Sequence, residues 1–451
     1  MTIKRSAVPG LALVTVASLA VAGCGSSSSG GSPSSNPSTS TSSAPHLHGT
    51  SFSILGQWTG EEQAAFQSVV DAFDKATGAK GKYSAASGGD EATVLGTKVN
   101  GGNPPDVAIL SLPGAIAQYG NAGKLQAVSA AGKTAVAQNF ASEWAQLATV
   151  KGTLYGVPVD ASNKSTVWYN TKLFADAGLS STPTTWPELI SDAKTLGDSG
   201  VSVPFSVGGG DGWTLTDWFE NAYLRTAGLQ KYDELTHHQI KWTDPSVATA
   251  LNALKQIWGD KSIVGSPSNA AKVPFTSSVD NVFKAKPTSA MVYEASFVAT
   301  TITGDKDPAK VGTDAKFFPF PSIGDSGSVL EAAGDFAVAF TKNPAVQDFL
   351  TYLASPQAAQ LLVSYHGSGF LSANQNLSDT AYPDPTSADL AKQIVSVGPD
   401  FRFDMSDQAP AAFGGTPNKG EWADLQTFLK NGNVAAAQRQ LEKDANAAKG
   451  W

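Results

Sequence analysis

The chain has 451 residues, of which 41% are apolar and only 16% charged, with a formal net charge of −8. That length and apolar content support two domains with sizeable cores. The body of the chain has no Lys/Arg run, the electrostatic footprint that nucleic acid or anionic lipid requires. A single cysteine excludes an internal disulfide framework, so the fold depends on burial for its stability.

At the N-terminus, Lys4 and Arg5 precede an apolar stretch over residues 7–22. It is short of the ~20 residues that cross a bilayer as a helix. Basic, apolar and then small residues are the layout of a secretory signal. At its end, Val21-Ala22-Gly23-Cys24 resembles the bacterial lipobox, whose cysteine is lipidated and becomes the first residue of the mature protein. Residues 1–23 are therefore expected to be removed, and Cys24 to carry lipid. Residues 24–50 are mainly Ser, Gly, Pro and Thr and offer little to bury, which predicts a flexible tether. His46 and His48 near its end do not by themselves make a metal site. No later segment reaches transmembrane length.

Order begins with the alternation of Ser51-Phe52-Ser53-Ile54-Leu55, a strand. Thr59-Gly60-Glu61-Glu62 matches a capping box, and Phe66, Val69, Val70 and Phe73 keep helical spacing up to Gly78. A strand near 82–84, a helix over 93–99 and a strand over 104–110 follow. Strand and helix alternate as in a parallel sheet covered by helices. Beyond Asp160 the pattern restarts. Thr185 caps a helix with Pro187 in its first turn, residues 203–207 read as a strand, and 208–212 as a Gly-rich loop. Helices are expected over 215–225 and 247–258, and buried strands over 289–293 and 335–340. From residue 344 onward helices dominate.

Several motifs fall in order along this frame: Gln57-Trp58-Thr59-Gly60-Glu61, Gly101-Gly102-Asn103-Pro104-Pro105-Asp106-Val107, Tyr155-Gly156-Val157-Pro158, Val167-Trp168-Tyr169-Asn170 and Phe370-Leu371-Ser372-Ala373-Asn374. Together they resemble the family 1 extracellular solute-binding proteins that feed carbohydrate ABC importers. Gly210-Asp211-Gly212-Trp213 and Phe401-Arg402-Phe403-Asp404 look closest to the alpha-glucoside-binding branch. The resemblance implies an α/β, two-lobed, type II periplasmic-binding-protein-like fold. Each lobe would be a mostly parallel sheet flanked by helices, with the ligand cleft between lobes. Lobe 1 is expected to comprise 51–160 plus 295–341, and lobe 2 to comprise 161–294 plus 342–451. Crossings are expected near 158–162, 293–297 and 340–344.

A neutral sugar presents weakly apolar ring faces and hydroxyls in donor–acceptor pairs. Flat aromatics suit the faces, while carboxylates, amides or Arg suit the hydroxyls. Trp58 with Glu61, Trp213 beside Asp211, and Trp218 beside Asp217 supply both kinds, although Trp58 and Trp218 can equally fill a core. By family position Asp160 and Glu294 fall in the crossing segments, where they touch ligand or form hinge salt bridges. Asp90 either faces the cleft or caps the helix that follows, and Asp335 opens a strand. Arg402 and Asp404 flank Phe403, so strand alternation puts both on one face, to pair with each other or bind sugar.

Other motifs fail. Gly324-Asp325-Ser326-Gly327 copies a serine-protease loop without catalytic-histidine context, and His237-His238 lacks partners at zinc-site spacing. No Gly-Lys-Ser/Thr follows the glycines at 208–212, so they form no P-loop. The expected protein is a monomeric sugar receptor without enzymatic activity, cofactor, metal or nucleic-acid partner. It would be lipid-anchored on the extracellular or periplasmic face and hand ligand to permease subunits. A lipid-anchored glycoside hydrolase and a surface lectin are the alternatives.

Overall fold

The computed structural model describes residues 46–86, 91–304 and 308–451. Cys24, the signal and most of the tether lie outside these residues, as does Asp90. The first sheet has five strands in the order Lys80–Ala85, Ser51–Gly56, Val107–Leu110, Phe336–Ala339, Gly156–Pro158. The first three run parallel, and Phe336–Ala339 is antiparallel to both of its neighbours. The second sheet has the order Ala315–Pro319, Thr166–Asn170, Met291–Tyr293, Phe205–Ser206. A third, of Phe401–Phe403, Leu330–Ala333 and Ser162–Asn163, is built from the segments that run between the other two. The protein therefore has the two-lobed α/β architecture expected of a type II binding protein. The second sheet is not mostly parallel as expected: Thr166–Asn170 is antiparallel to both of its neighbours, and only Met291–Tyr293 and Phe205–Ser206 run parallel.

Helix Gly60–Thr77 buries Phe66, Val69, Val70 and Phe73 as the spacing predicts, and Gly78 ends it in a left-handed conformation. Its expected capping box does not form, because the Thr59 side chain makes no cap hydrogen bond. At Trp186–Asp198 the capping box is complete: Thr185 and Glu188 satisfy each other's backbone groups.

The lobe boundaries differ from the sequence expectation in two respects: strand Ala315–Pro319, expected in lobe 1, pairs with Thr166–Asn170 in the second sheet, and the late crossing lies further along the chain. Helices Pro344–Leu353 and Pro356–Val363 pack on the first lobe, not the second: Phe349 lies within ring contact of Phe52, Phe66 and Phe73. The chain leaves that core only after strand Phe401–Phe403, when Met405, Phe413 and Leu425 join the second. The late crossing is therefore at 401–405 rather than 340–344. The apolar faces of these two helices match the aromatic face of helix Gly60–Thr77, and proximity in sequence to a predicted crossing does not reveal that match.

Candidate functional site

Two groups of buried carboxyls flank the connecting segments. The first is built where the chain leaves and re-enters the first sheet. The Asp335 amide donates to Asp160 Oδ1 at 2.7 Å, and the Val159 amide to Asp335 O at 2.8 Å. A Cβ on Gly334 would lie 2.5 Å from Asp160 O, so only glycine permits this approach. The Asp335 carboxylate accepts hydrogen bonds from the Gln57 and Trp58 side chains, yet burial still lifts its pKa to about 6. Burial followed by the Asp335 charge raises Glu62 to about 7 and Glu91 to about 9. The same two causes, in the same order, raise Asp160.

The second group gathers around Lys164, the residue directly after strand Ser162–Asn163. Its ammonium lies 3.1 Å from Asp217 Oδ1, on helix Trp213–Thr236, and also pairs with Asp404 Oδ2. Burial alone would raise Asp404, but Lys164 and the hydrogen bonds from Asp407 and Ser406 hold it below its ordinary value. Burial lifts Asp217 to about 6 even though Lys164 opposes the shift. Glu220 accepts from Tyr232 Oη at 2.8 Å and from the Ser406 amide at 3.1 Å. Glu331 accepts from Asn221 Nδ2. Burial raises Glu220, Glu294, Glu331 and Glu421. Asp407 is raised too, by burial first and then by the Asp404 charge.

Beside the second group is an aromatic triangle. Trp213 lies 5.3 Å from Phe275 and 5.9 Å from Phe297, and the latter two rings are 5.5 Å apart, all three half-buried. Asp211 fixes one corner by accepting from the Phe275 amide at 2.7 Å. Asp217 follows Trp213 by four residues, one helical turn along the same face. Trp422 approaches the start of this helix. A Cβ on Gly212, whose φ is 88°, would lie 2.9 Å from Trp422 Cβ. The half-buried Trp422 leaves its indole N–H without a partner among the described residues. Partly exposed rings beside buried acceptors are what a sugar's faces and hydroxyls require.

The residues singled out in the sequence fall in different places. Asp160 and Asp335 meet in the first group, Glu294 and Asp404 lie in the second, and Trp213 opens the aromatic triangle. Trp58 turns only its N–H toward Asp335, while its ring packs among Phe66, Tyr83 and Phe370. Trp218 is 1% exposed among Phe205, Trp258, Tyr293 and Phe320 and offers no face to a ligand. Glu61 is exposed in the first turn of its helix, outside both groups. Arg402 does not share a face with Asp404. It forms a two-pronged pair with Asp233, Nη2 to Oδ2 at 2.9 Å. Alternation stops at Phe403, where the strand ends and Asp404 caps helix Met405–Gln408.

Lys164, Glu62, Glu91, Phe275, Phe297 and Trp422 are absent from the sequence expectation. The one available signal was Lys164 itself, a lone cation two residues past the crossing expected near 158–162.

A family profile for bacterial extracellular solute-binding proteins matches residues 57–360. The alpha-glucosides-binding periplasmic protein AglE of Rhizobium meliloti is 32% identical over 82% of this chain and 81% of its own. The osmoprotective compounds-binding protein GgtB of Synechocystis is 31% identical over 80% of this chain and 85% of its own. Among solved structures, the bacterial solute receptor AcbH, described as preferring β-D-galactopyranose, superposes with a TM-score of 0.71 at 17% identity. That match covers 88% of this chain and 99% of the receptor. These relatives are binding receptors, not enzymes. With its profile match, its long alignments to binding proteins and its two-lobed fold, the chain belongs to the bacterial extracellular solute-binding proteins.

Proposed function

We propose that this protein is the lipid-anchored receptor of an ABC importer, capturing an alpha-glucoside or related di- or oligosaccharide between its lobes. The observation that carries this reading is the half-buried triangle of Trp213, Phe275 and Phe297 one helical turn from the Asp217 carboxylate. The rings suit sugar faces, and charged acceptors contribute about 1.5–3 kcal/mol net per hydrogen bond, against about 0.5–1.5 for neutral ones. The name of AglE supports the choice of sugar. Ligand shifts the lobes toward closure only by its preference for the closed state, and the closed receptor then presents its cargo to the permease. Lipid on Cys24 would keep the receptor near its importer and raise their effective concentration.

A thermal-shift screen of mono- and disaccharides tests this function. Stabilisation by an alpha-linked glucoside without release of product is expected, and an unmoved melting temperature across the panel would overturn the reading. Separately, Cys24→Ala is expected to shift the protein from the membrane to the soluble fraction while sugar affinity is unchanged.

A further inference from the structure

The motif Phe370-Leu371-Ser372-Ala373-Asn374 belongs to neither carboxyl group nor the aromatic triangle. It leads into the wall of a cavity of about 160 Å³ on the first lobe, between the stretch 372–382 and helix Pro385–Ser396. That is far more than the roughly 10–15 Å³ that holds one water, and about the room a single pyranose needs. Seven of its ten wall residues are polar, so it is not a dry void of the kind apolar packing leaves. Asn374, part of that wall, is 2% exposed. Its Oδ1 accepts from the Asn376 amide at 3.0 Å, which fixes how the side-chain amide is turned, and its Nδ2 has no acceptor among the described residues. Tyr382 Oη accepts from the Ser372 amide at 3.2 Å, which leaves its own proton to donate. The wall is preformed. Asn139 holds the loop through its backbone oxygen, 2.8 Å from the Gln375 amide, and through its Oδ1, 2.9 Å from Asn376 Nδ2.

We propose that this cavity is a second ligand site, separate from the carboxyl groups and the rings, for a neutral polyhydroxylated molecule the size of one monosaccharide. A hydroxyl both donates and accepts, and this wall calls for both. Asn374 and Tyr382 are donors in need of an acceptor, and the Gln375 amide offers both kinds. Asp379 and Lys392, both exposed, add one charge of each sign. That balance disfavours an ion, which would leave one of the two unanswered. An apolar ligand would keep the Asn374 amide buried without a partner, which is costly. The three remaining wall residues, Leu377, Ala391 and Val395, suit the carbon face of a ring. The site stands on these residues alone and does not depend on what the two lobes clasp.

Ligand-observed saturation-transfer NMR on the full-length protein tests the site, with D-glucose, D-galactose and myo-inositol as probes. At least one is expected to bind with millimolar affinity and to stay bound when the cleft is weakened by Trp213→Ala. The same probe is expected to lose about tenfold in affinity in Asn374→Leu, which removes the amide at nearly constant volume, with native far-UV circular dichroism. If that variant does not fold, Ser396→Trp, at an exposed wall position, obstructs the cavity and is read in the same way. The proposal is overturned if none of the three probes binds the unmodified protein, or if all binding disappears with Trp213→Ala and so belongs to the cleft. It is equally overturned if the folded cavity variant binds the probe as well as the unmodified protein does.

Discussion

The two carboxyl groups differ in one component. Around Asp335 the acids act on one another without a buried cation among the described residues, and burial raises all four. Around Asp404 a lysine is inserted, and the carboxyl bonded to it most closely is held down while those farther off are still raised. Burial acts on every member of both groups, but an ammonium in direct contact outweighs it at one position only. The first group adapts to desolvation by taking up protons, and the second by fixing one charge pair. A ligand that brings hydroxyl donors into either group meets different partners, carboxyls that burial raises on one side and an Asp404 held ionised by Lys164 on the other.

Removing the cation is the strongest way to erase this difference. Lys164→Met leaves Asp217 and Asp404 buried without their counter-charge, and breaking such a pair costs about 3–5 kcal/mol. Denaturant unfolding is expected to register that loss, and an unchanged midpoint would mean that the pair contributes little. Next in size is the contrast between two tryptophans of one helix. Trp218→Ala opens a cavity in the core and should cost about 3–5 kcal/mol of stability. Trp213→Ala should leave the unliganded melting curve nearly unchanged and weaken sugar binding about tenfold, ~1.4 kcal/mol. Calorimetric titration beside thermal melts separates them, and a collapse of the Trp213 variant would place that ring in the core.

The pH dependence probes the group without a cation. Asp335, Glu62 and Glu91 have folded-state pKa values of about 6, 7 and 9, above the ordinary carboxyl range. The folded protein therefore holds protons that the unfolded chain releases. Their contribution is fully present below the unfolded values and is lost as pH rises through 6, 7 and 9. Asp404 works in the opposite sense: its depressed pKa adds stability above its unfolded value that is lost in acid. Glu62→Gln, a mimic of the protonated acid, should flatten the decline of stability near pH 7, as read from melts across the pH range. The smallest effect belongs to Arg402. Its ion pair with Asp233 is partly solvated, so Arg402→Ala should cost less than about 1 kcal/mol and leave sugar affinity alone. A large loss of binding would return Arg402 to the site.

Much of the architecture is legible in the sequence because it is written in local patterns. Alternation at 51–55, the apolar stripe of Phe66, Val69, Val70 and Phe73, and the Thr185 cap each specify an element within a few residues. Asp160 and Asp335 are also legible, since both stand at strand ends beside crossing segments. Arg402 misleads because alternation holds only while a strand continues, and a helix cap follows at Asp404. Trp58 and Trp218 are ambiguous because a ring's usefulness to a ligand depends on which of its faces is already covered.

By itself, then, the sequence determined the elements, their order, the family resemblance and the supply of aromatics and acids. Only the tertiary structure decided which of those acids converge. Lys164 and Asp404 are separated by 240 positions in the chain and meet in one ion pair. Burial and charge pairing act through space over a few ångströms, and local spacing along a chain carries no record of such a meeting.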